Sequence, residues 1–155
     1  MSIRQAVLAD LSTVKHIAET TISEIYPHYY PEGAVDFFLE HHSEEKILQD
    51  IERNRVFLSL DCAQNVTGTV TIHENEISRL FVLPPCQGMG FGTVLLDFAE
   101  RKISEKHARA VLDASLPAKE LYLRRGYKDV DFHILPVKGN DLLCYDVMEK
   151  QVRRR

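Results

Sequence analysis

Between residues 56 and 83 the chain alternates apolar and polar residues with a period of two, and only short turns separate the runs. Val56–Leu60 reads as a strand, and Ala63, Gln64 and Asn65 supply turn chemistry. Val66, Gly68, Val70 and Ile72 then alternate with Thr67, Thr69 and Thr71, the pattern of a half-buried strand. Glu74 and Asn75 make another tight turn before a third strand over residues 76–83. Parallel neighbours need a crossover of about a dozen residues or more. Three strands in a row with such short turns therefore form an antiparallel meander, which excludes a simple doubly wound parallel sheet.

The flanking segments switch to helical spacing. Leu11, Val14, Ala18, Ile22 and Ile25 follow Asp10, a plausible N-cap, and a short extended stretch at residues 2–6. Pro27 and Pro31 break that helix around Tyr26, Tyr29 and Tyr30. A second helical stretch carries Val35, Phe38 and Leu39, then Ile47, Leu48 and Ile51 after a break near Ser43. Beyond the meander, Phe91, Val94, Leu95, Phe98 and Ala99 share one helix face. Residues 108–112 read as a strand, 117–125 as a helix stopped by Gly126, and 131–137 with 142–148 as a hairpin. The expected order is β–α–α–β–β–β–α–β–α–β–β: an α/β (α+β) mixed sheet with helices on its faces. Residues 1–150 form the expected single domain, and 151–155 a basic tail, with fraying expected from Lys150 onward.

At 155 residues and 17.8 kDa, a chain can bury roughly 69% of its surface, enough for a core without disulfide or metal staples. Three widely spaced cysteines, Cys62, Cys86 and Cys144, suit a reducing compartment. The first ten residues carry charge where a secretory leader has its apolar stretch, and no apolar run approaches membrane length. A cytoplasmic protein with no membrane association is expected. Net charge is −4 and pI about 6.0, which disfavours a nucleic-acid partner. The charge is uneven. Residues 19–50 hold eight acids against Lys46 alone, and residues 101–128 hold eight bases against three acids.

The chemistry concentrates where the meander ends. Pro84 and Pro85 are followed by Gln87, Gly88, Met89, Gly90, Phe91 and Gly92, opening a helix. Glycine permits close backbone approach, and first-turn N–H groups lack internal partners at the positive end of the helix dipole, a site for phosphate oxygens. The Gly-Lys-Ser/Thr of a Walker loop is absent, and Thr93 stands where a Rossmann fingerprint has its third glycine. Asp113 lies where a ribose-binding acid would fall, but the loop follows an antiparallel meander rather than opening a βαβ unit.

The spacing Gln87-x-x-Gly90-x-Gly92 resembles the coenzyme A-binding motif of the GNAT N-acetyltransferase family. Ile3, Arg4, Ala6 and Asp10 resemble the family's opening, Val66-x-Gly68 its third strand, and residues 121–127 (LYLRRGY) its closing signature. Ser115 stands near where the family often has an asparagine. The resemblance implies a GNAT-like acyl-CoA N-acyltransferase fold and acetyl-CoA as acetyl donor. Backbone N–H groups of Gly88, Met89, Gly90, Phe91, Gly92 and Thr93 would hold the pyrophosphate, with Gln87 bracing the loop. Phe81 and Val82 would offer free backbone groups to the pantetheine arm, with Ser115 and Tyr122 completing the site. It further implies Tyr122 as proton donor to the departing thiolate, Glu76 as base, and Glu24, Tyr26, Tyr29 and Tyr30 around the acceptor. His73 is a reserve base. Cys86 reads as an inert loop residue, and His41 and His42 as part of a solvated face without a metal.

The expected reaction is direct acetyl transfer to a primary amine, a small cationic molecule or a peptide end drawn by the eight acids of residues 19–50, with a homodimer among the open partnerships. A longer acyl group stays open. The alternative is a domain of the same fold that binds acyl-CoA as a sensor and transfers nothing.

Overall fold

The computed structural model describes residues 1–153. Its sheet has seven strands: β1 (Ser2–Gln5), β2 (Val56–Leu60), β3 (Val66–His73), β4 (Glu76–Val82), β5 (Arg109–Ala114), β6 (Lys128–Pro136) and β7 (Leu142–Gln151). Five α-helices accompany them: α1 (Leu11–Ile25), α2 (Glu32–His41), α3 (Glu44–Glu52), α4 (Phe91–Ser104) and α5 (Leu116–Arg124). The spatial order is β1-β2-β3-β4-β5-β7-β6, and every neighbouring pair is antiparallel except β4–β5. The meander is β2–β3–β4, as the turn lengths require.

Helices cover both faces. Leu95, Leu96, Ala99 and Ile103 of α4 and Tyr122 of α5 pack with Val70, Ile72, Ile77 and Leu112. On the other face, Ile17, Ala18 and Ile22 of α1 and Ala34 of α2 meet Phe81 and Leu143, while Ile47 and Ile51 of α3 meet Val56 and Leu58. This corrects one expectation: β3 is buried on both faces, its threonines included. Their hydroxyls are satisfied within the sheet. Thr67 Oγ1 bonds Ser59 at 2.9 Å, Thr69 donates to the Phe57 carbonyl, and Thr71 accepts from Arg79. A period-two polar stripe thus serves as a hydrogen-bonded layer beneath the helices.

Other differences have local causes. Asp10 does not cap α1: its carboxylate accepts from both Arg4 Nη atoms at 2.8 Å and from the Val7 N–H. The second helical stretch is two helices, divided where Ser43 caps α3. The expected fraying from Lys150 is also corrected. β7 reaches Gln151, and the N–H groups of Val152 and Arg153 donate to Ala108. Arg154 and Arg155 lie outside the described residues.

One irregularity shapes the centre. Thr69 faces Phe81 but Thr71 faces Ser78, so β4 holds an extra residue, a bulge at Arg79–Leu80 with Arg79 at φ 45°. Beyond it β4 leaves β5. The two strands pair only at Glu76–Val111, with the Val111 N–H donating to the Asn75 carbonyl at 2.9 Å.

Candidate active site

The separation of β4 from β5 leaves an opening with a cavity at each end. The larger, about 540 Å³, is lined by Val82, by Gln87, Gly88, Gly90, Phe91, Gly92 and Thr93, and by Ala118 and Leu121 of α5. The smaller, about 150 Å³, is lined by Glu76, Arg79, Asp113 and Tyr122, by His41 and His42, and by apolar side chains of α2 and β7. Tyr26, Leu80, Phe81 and Ser115 border both. The two therefore meet at a neck.

The loop before α4 shows why its glycines are glycines. Gly88 and Gly90 have φ of 74° and 94°, the left-handed region that side chains disfavour. Added Cβ atoms would meet nothing within 4 Å at Gly88, and only the Met1 Cε at 3.9 Å at Gly90. Backbone geometry, with open space in front of it, accounts for both. Gly90 is the N-cap of α4 and supplies no capping side chain. The first intrahelical bond runs from Val94 N–H to the Gly90 carbonyl. The N–H groups of Phe91, Gly92 and Thr93 precede that bond at the positive end of the helix dipole. Gln87 Nε2 donates to the Val82 carbonyl at 2.9 Å, tying the loop to the opened edge of β4. Met89 projects to solvent, while Phe91 is buried and borders the larger groove.

The β4 edge differs from expectation in one residue. The Leu83 N–H donates to Thr67, and the Phe81 carbonyl lies toward Gly68, so both peptides face β3. Alternation then turns the Val82 N–H toward the opening. Of Phe81 and Val82, Val82 offers the backbone group and Phe81 offers its ring.

Tyr122 is 5% exposed, its ring against Tyr127 at 5.7 Å, and burial beside Tyr26 pushes its phenol well above the ordinary value. It remains protonated. Glu76 and Asp113 stand near the single β4–β5 pairing, Asp113 two residues beyond Val111. Burial raises both carboxyls above the ordinary range. Asp113 raises Glu76 further, opposed by His73, while His133 and His41 oppose the rise at Asp113.

The tyrosine cluster divides. Tyr26 is buried at the neck, its hydroxyl pushed up to about 12 by burial, an effect eased by Ser115. Tyr29 is exposed and borders the larger groove. Tyr30 is buried, and its hydroxyl oxygen accepts the Leu116 N–H at 2.6 Å, capping α5. Glu24 lines neither cavity, and neither do the other seven acids of residues 19–50. Asp50 pairs with Arg79 and Arg55, Glu44 with Lys15, and Glu40 with Lys138. The acids of the smaller cavity are Glu76 and Asp113.

His41 and His42 also depart from expectation, since both line the smaller cavity rather than a solvated face. The His42 ring lies edge-on to Phe81 at 5.2 Å. Burial, with Arg79, His41 and Lys46 nearby, pushes its pKa down to about 2. Among the described residues no group of three or more His, Cys, Asp or Glu side chains could hold a metal ion.

This geometry can be set beside known proteins. The profile of the acetyltransferase (GNAT) domain matches residues 25–136. The chain belongs to the GNAT acetyltransferase family. Solved GNAT structures share its fold across nearly the whole length. A GCN5-related N-acetyltransferase from Rhodopseudomonas palustris is 20% identical, with 97% of this chain and 94% of that one covered at a TM-score of 0.86. PaiA N-acetyltransferase from Thermoplasma acidophilum, solved with coenzyme A, is 22% identical, with 97% and 98% covered and a TM-score of 0.71. YncA from Salmonella typhimurium, solved with its cofactor acetyl-CoA, is 18% identical, with 100% and 95% covered and a TM-score of 0.75. Among curated proteins none matches this chain. No helix among the described residues is long and apolar enough to cross a membrane.

Arg79, Asp113, His41 and His42 were not assigned to the site from the sequence of this GNAT chain. Asp113 alone carried a signal, since it falls on the face of β5 that runs beside Glu76.

Proposed function

We propose that this chain transfers acetyl from acetyl-CoA directly to a primary amine, with the donor in the larger groove and the acceptor in the smaller cavity. The observation that carries the reading is the neck. The opened sheet joins a groove rich in free N–H groups to a cavity holding two carboxylates and a protonated phenol.

In the donor groove, N–H groups from Gly88 through Thr93 bind the pyrophosphate. The Val82 N–H pairs with the pantetheine arm as a neighbouring strand would. Ser115, at the neck, adds a hydroxyl. The thioester then lies beside Leu80 and Phe81, where an N–H of the opened edge stabilises the oxyanion.

In the acceptor cavity, an alkylammonium with a pKa near 10.4 must lose a proton before attack. Glu76 takes it, directly or through water, and burial beside Asp113 makes Glu76 a stronger base than an exposed carboxylate. The amine nitrogen bonds the acetyl carbon and releases its second proton to solvent, the C–S bond breaks, and negative charge gathers on sulfur. Tyr122 meets that charge with its O–H. Because the phenol is less acidic than a thiol, its contribution begins as a hydrogen bond to sulfur.

The test is Tyr122→Phe, followed as free thiol released with a panel of amines. Turnover should fall by about 10²-fold or more, with the acetyl-CoA dissociation constant nearly unchanged. Full turnover with chemistry rate-limiting would leave Tyr122 a core residue only. Acetyl-CoA binding without thiol release, for every amine tried on the unaltered chain, would make the protein a coenzyme-binding domain.

A further inference from the structure

Side chains of both charges line the acceptor cavity. Glu76 and Asp113 stand beside the β4–β5 pairing, with Asp113 in the field that acts on Glu76. Arg79 and His42 form a second group at the end of β4 that bends away from β5, the guanidinium acting on the imidazole. The Arg79 side chain is 5% exposed, and its Nη1 donates to Asp50 at 3.0 Å and to Thr71 at 2.9 Å. Asp50 is shared with Arg55 at 3.6 Å, so one carboxylate serves two guanidinium groups. That end keeps an excess of positive charge, and Lys46 adds to the field acting on His41 and His42.

Two polar atoms there are buried without partners: Arg79 Nε, a donor, and His42 Nδ1. Buried polar groups in native proteins are nearly always satisfied, and an orphaned donor on a charged group is the costliest kind. A neutral imidazole carries its proton on either nitrogen, so Nδ1 can donate beside Arg79 Nε. Two donors in a positive field suit a carboxylate oxygen.

We propose that the acceptor carries a carboxylate as well as its reacting amine, the carboxylate docking on Arg79 and His42 and the amine lying against Glu76 and Asp113. The substrate class is then a small amino acid or ω-amino acid. The inference rests on the acetyl-transfer reading above and sharpens its acceptor. It also replaces the acidic stretch of residues 19–50 as the source of recognition. A purely cationic amine would leave the Arg79 end unmatched, and a dicarboxylate would meet Glu76 and Asp113 with like charge.

The experiment uses the full chain with acetyl-CoA and matched acceptors. β-Alanine, γ-aminobutyrate and δ-aminovalerate are compared with ethylamine, propylamine and butylamine, and valine with isobutylamine, each read as free thiol. At least one carboxylated acceptor should exceed its matched amine by tenfold or more in kcat/KM. Arg79→Lys, which keeps a cation beside Asp50, and His42→Ala should each reduce that ratio at least fivefold, chiefly through KM. Melting curves verify that each variant folds, and His42→Ala alone decides if Arg79→Lys does not. Equal rates or a preference for the bare amine throughout overturns the proposal. So does a preference that persists unchanged in the folded variants. Acetyl-CoA binding with transfer to none of these members but to another amine overturns it too, while leaving acetyl transfer itself intact. Failure to bind acetyl-CoA overturns the underlying reading instead.

Discussion

The larger groove and the smaller cavity share a neck but are made of different materials. The groove takes most of its polar groups from peptide units of one continuous stretch, the end of β4 and the loop into α4. The cavity takes its polar groups from side chains on elements far apart in sequence, His42 following α2, Glu76 and Arg79 in β4, Asp113 in β5 and Tyr122 in α5. A backbone-built site demands glycine and a helix start at fixed spacing, which leaves a mark in the sequence. A side-chain-built site is assembled by topology and leaves none. The first kind can hold a constant ligand while the second varies from one protein to another.

That contrast breaks most readily at Gly90. Gly90→Val forces a β-branched residue to φ 94°, at a cost of about 1–3 kcal/mol, and places methyl groups in front of the loop N–H groups. Acetyl-CoA affinity should fall at least tenfold in calorimetry. A melting curve without ligand isolates the strain from the obstruction. Affinity equal to that of the unaltered protein would detach the loop from the donor.

Asp113→Asn tests the cavity next. If Glu76 is the base it must be ionised, so kcat/KM should be lost as pH falls through its raised pKa. Burial is the main cause of that raise and Asp113 the second. Removing the Asp113 charge stabilises the Glu76 carboxylate, so the acid limb of the pH profile should move to lower pH. An unmoved limb would assign the titration to another group.

Tyr30→Phe sharpens the boundary between site and scaffold. It keeps the ring against Phe38 and Tyr26 but removes the oxygen that caps α5. About 1 kcal/mol of stability should be lost, read as a lower melting temperature, with acetyl-CoA affinity unchanged. Weaker coenzyme binding at equal stability would return Tyr30 to the site. The smallest effect belongs to Glu24→Gln, which should leave acceptor KM and its salt dependence as they are. A change in either would restore a role for the acidic stretch.

The meander, the mixed sheet and the α4 loop were legible because turn length, period and glycine spacing are local constraints. The burial of Thr67, Thr69 and Thr71 was not, since alternation of threonine with valine is the same pattern whether helices or water cover the polar face. The start of β6 at Lys128 was hidden similarly: at a sheet edge exposed on both faces, polar and apolar residues carry no phase. Gln87 and the glycines were singled out by spacing and Tyr122 by its resemblance to a family signature, and the structure sets them around the two cavities. Arg79 escaped because its place depends on a bulge that rotates β4, and His42 because it depends on how α2 ends over Phe81. The eight acids between residues 19 and 50 misled for the converse reason. Their concentration in sequence is dispersed in space by three helices.

The lone β4–β5 pairing has a mechanical side. The sheet consists of two panels, β1 to β4 and β5 to β7, stitched together by hydrogen bonds only near Glu76 and Val111. Such a seam is where amide exchange and thermal opening should begin. A donor laid along Val82 would act as the missing rung of the ladder, lending the molecule cohesion that its own backbone withholds. At a donor concentration of one hundred times its dissociation constant, mass action alone adds about 2.7 kcal/mol to the loaded state. The peptide groups of β4 nearest the seam are then those whose exchange slows most on loading.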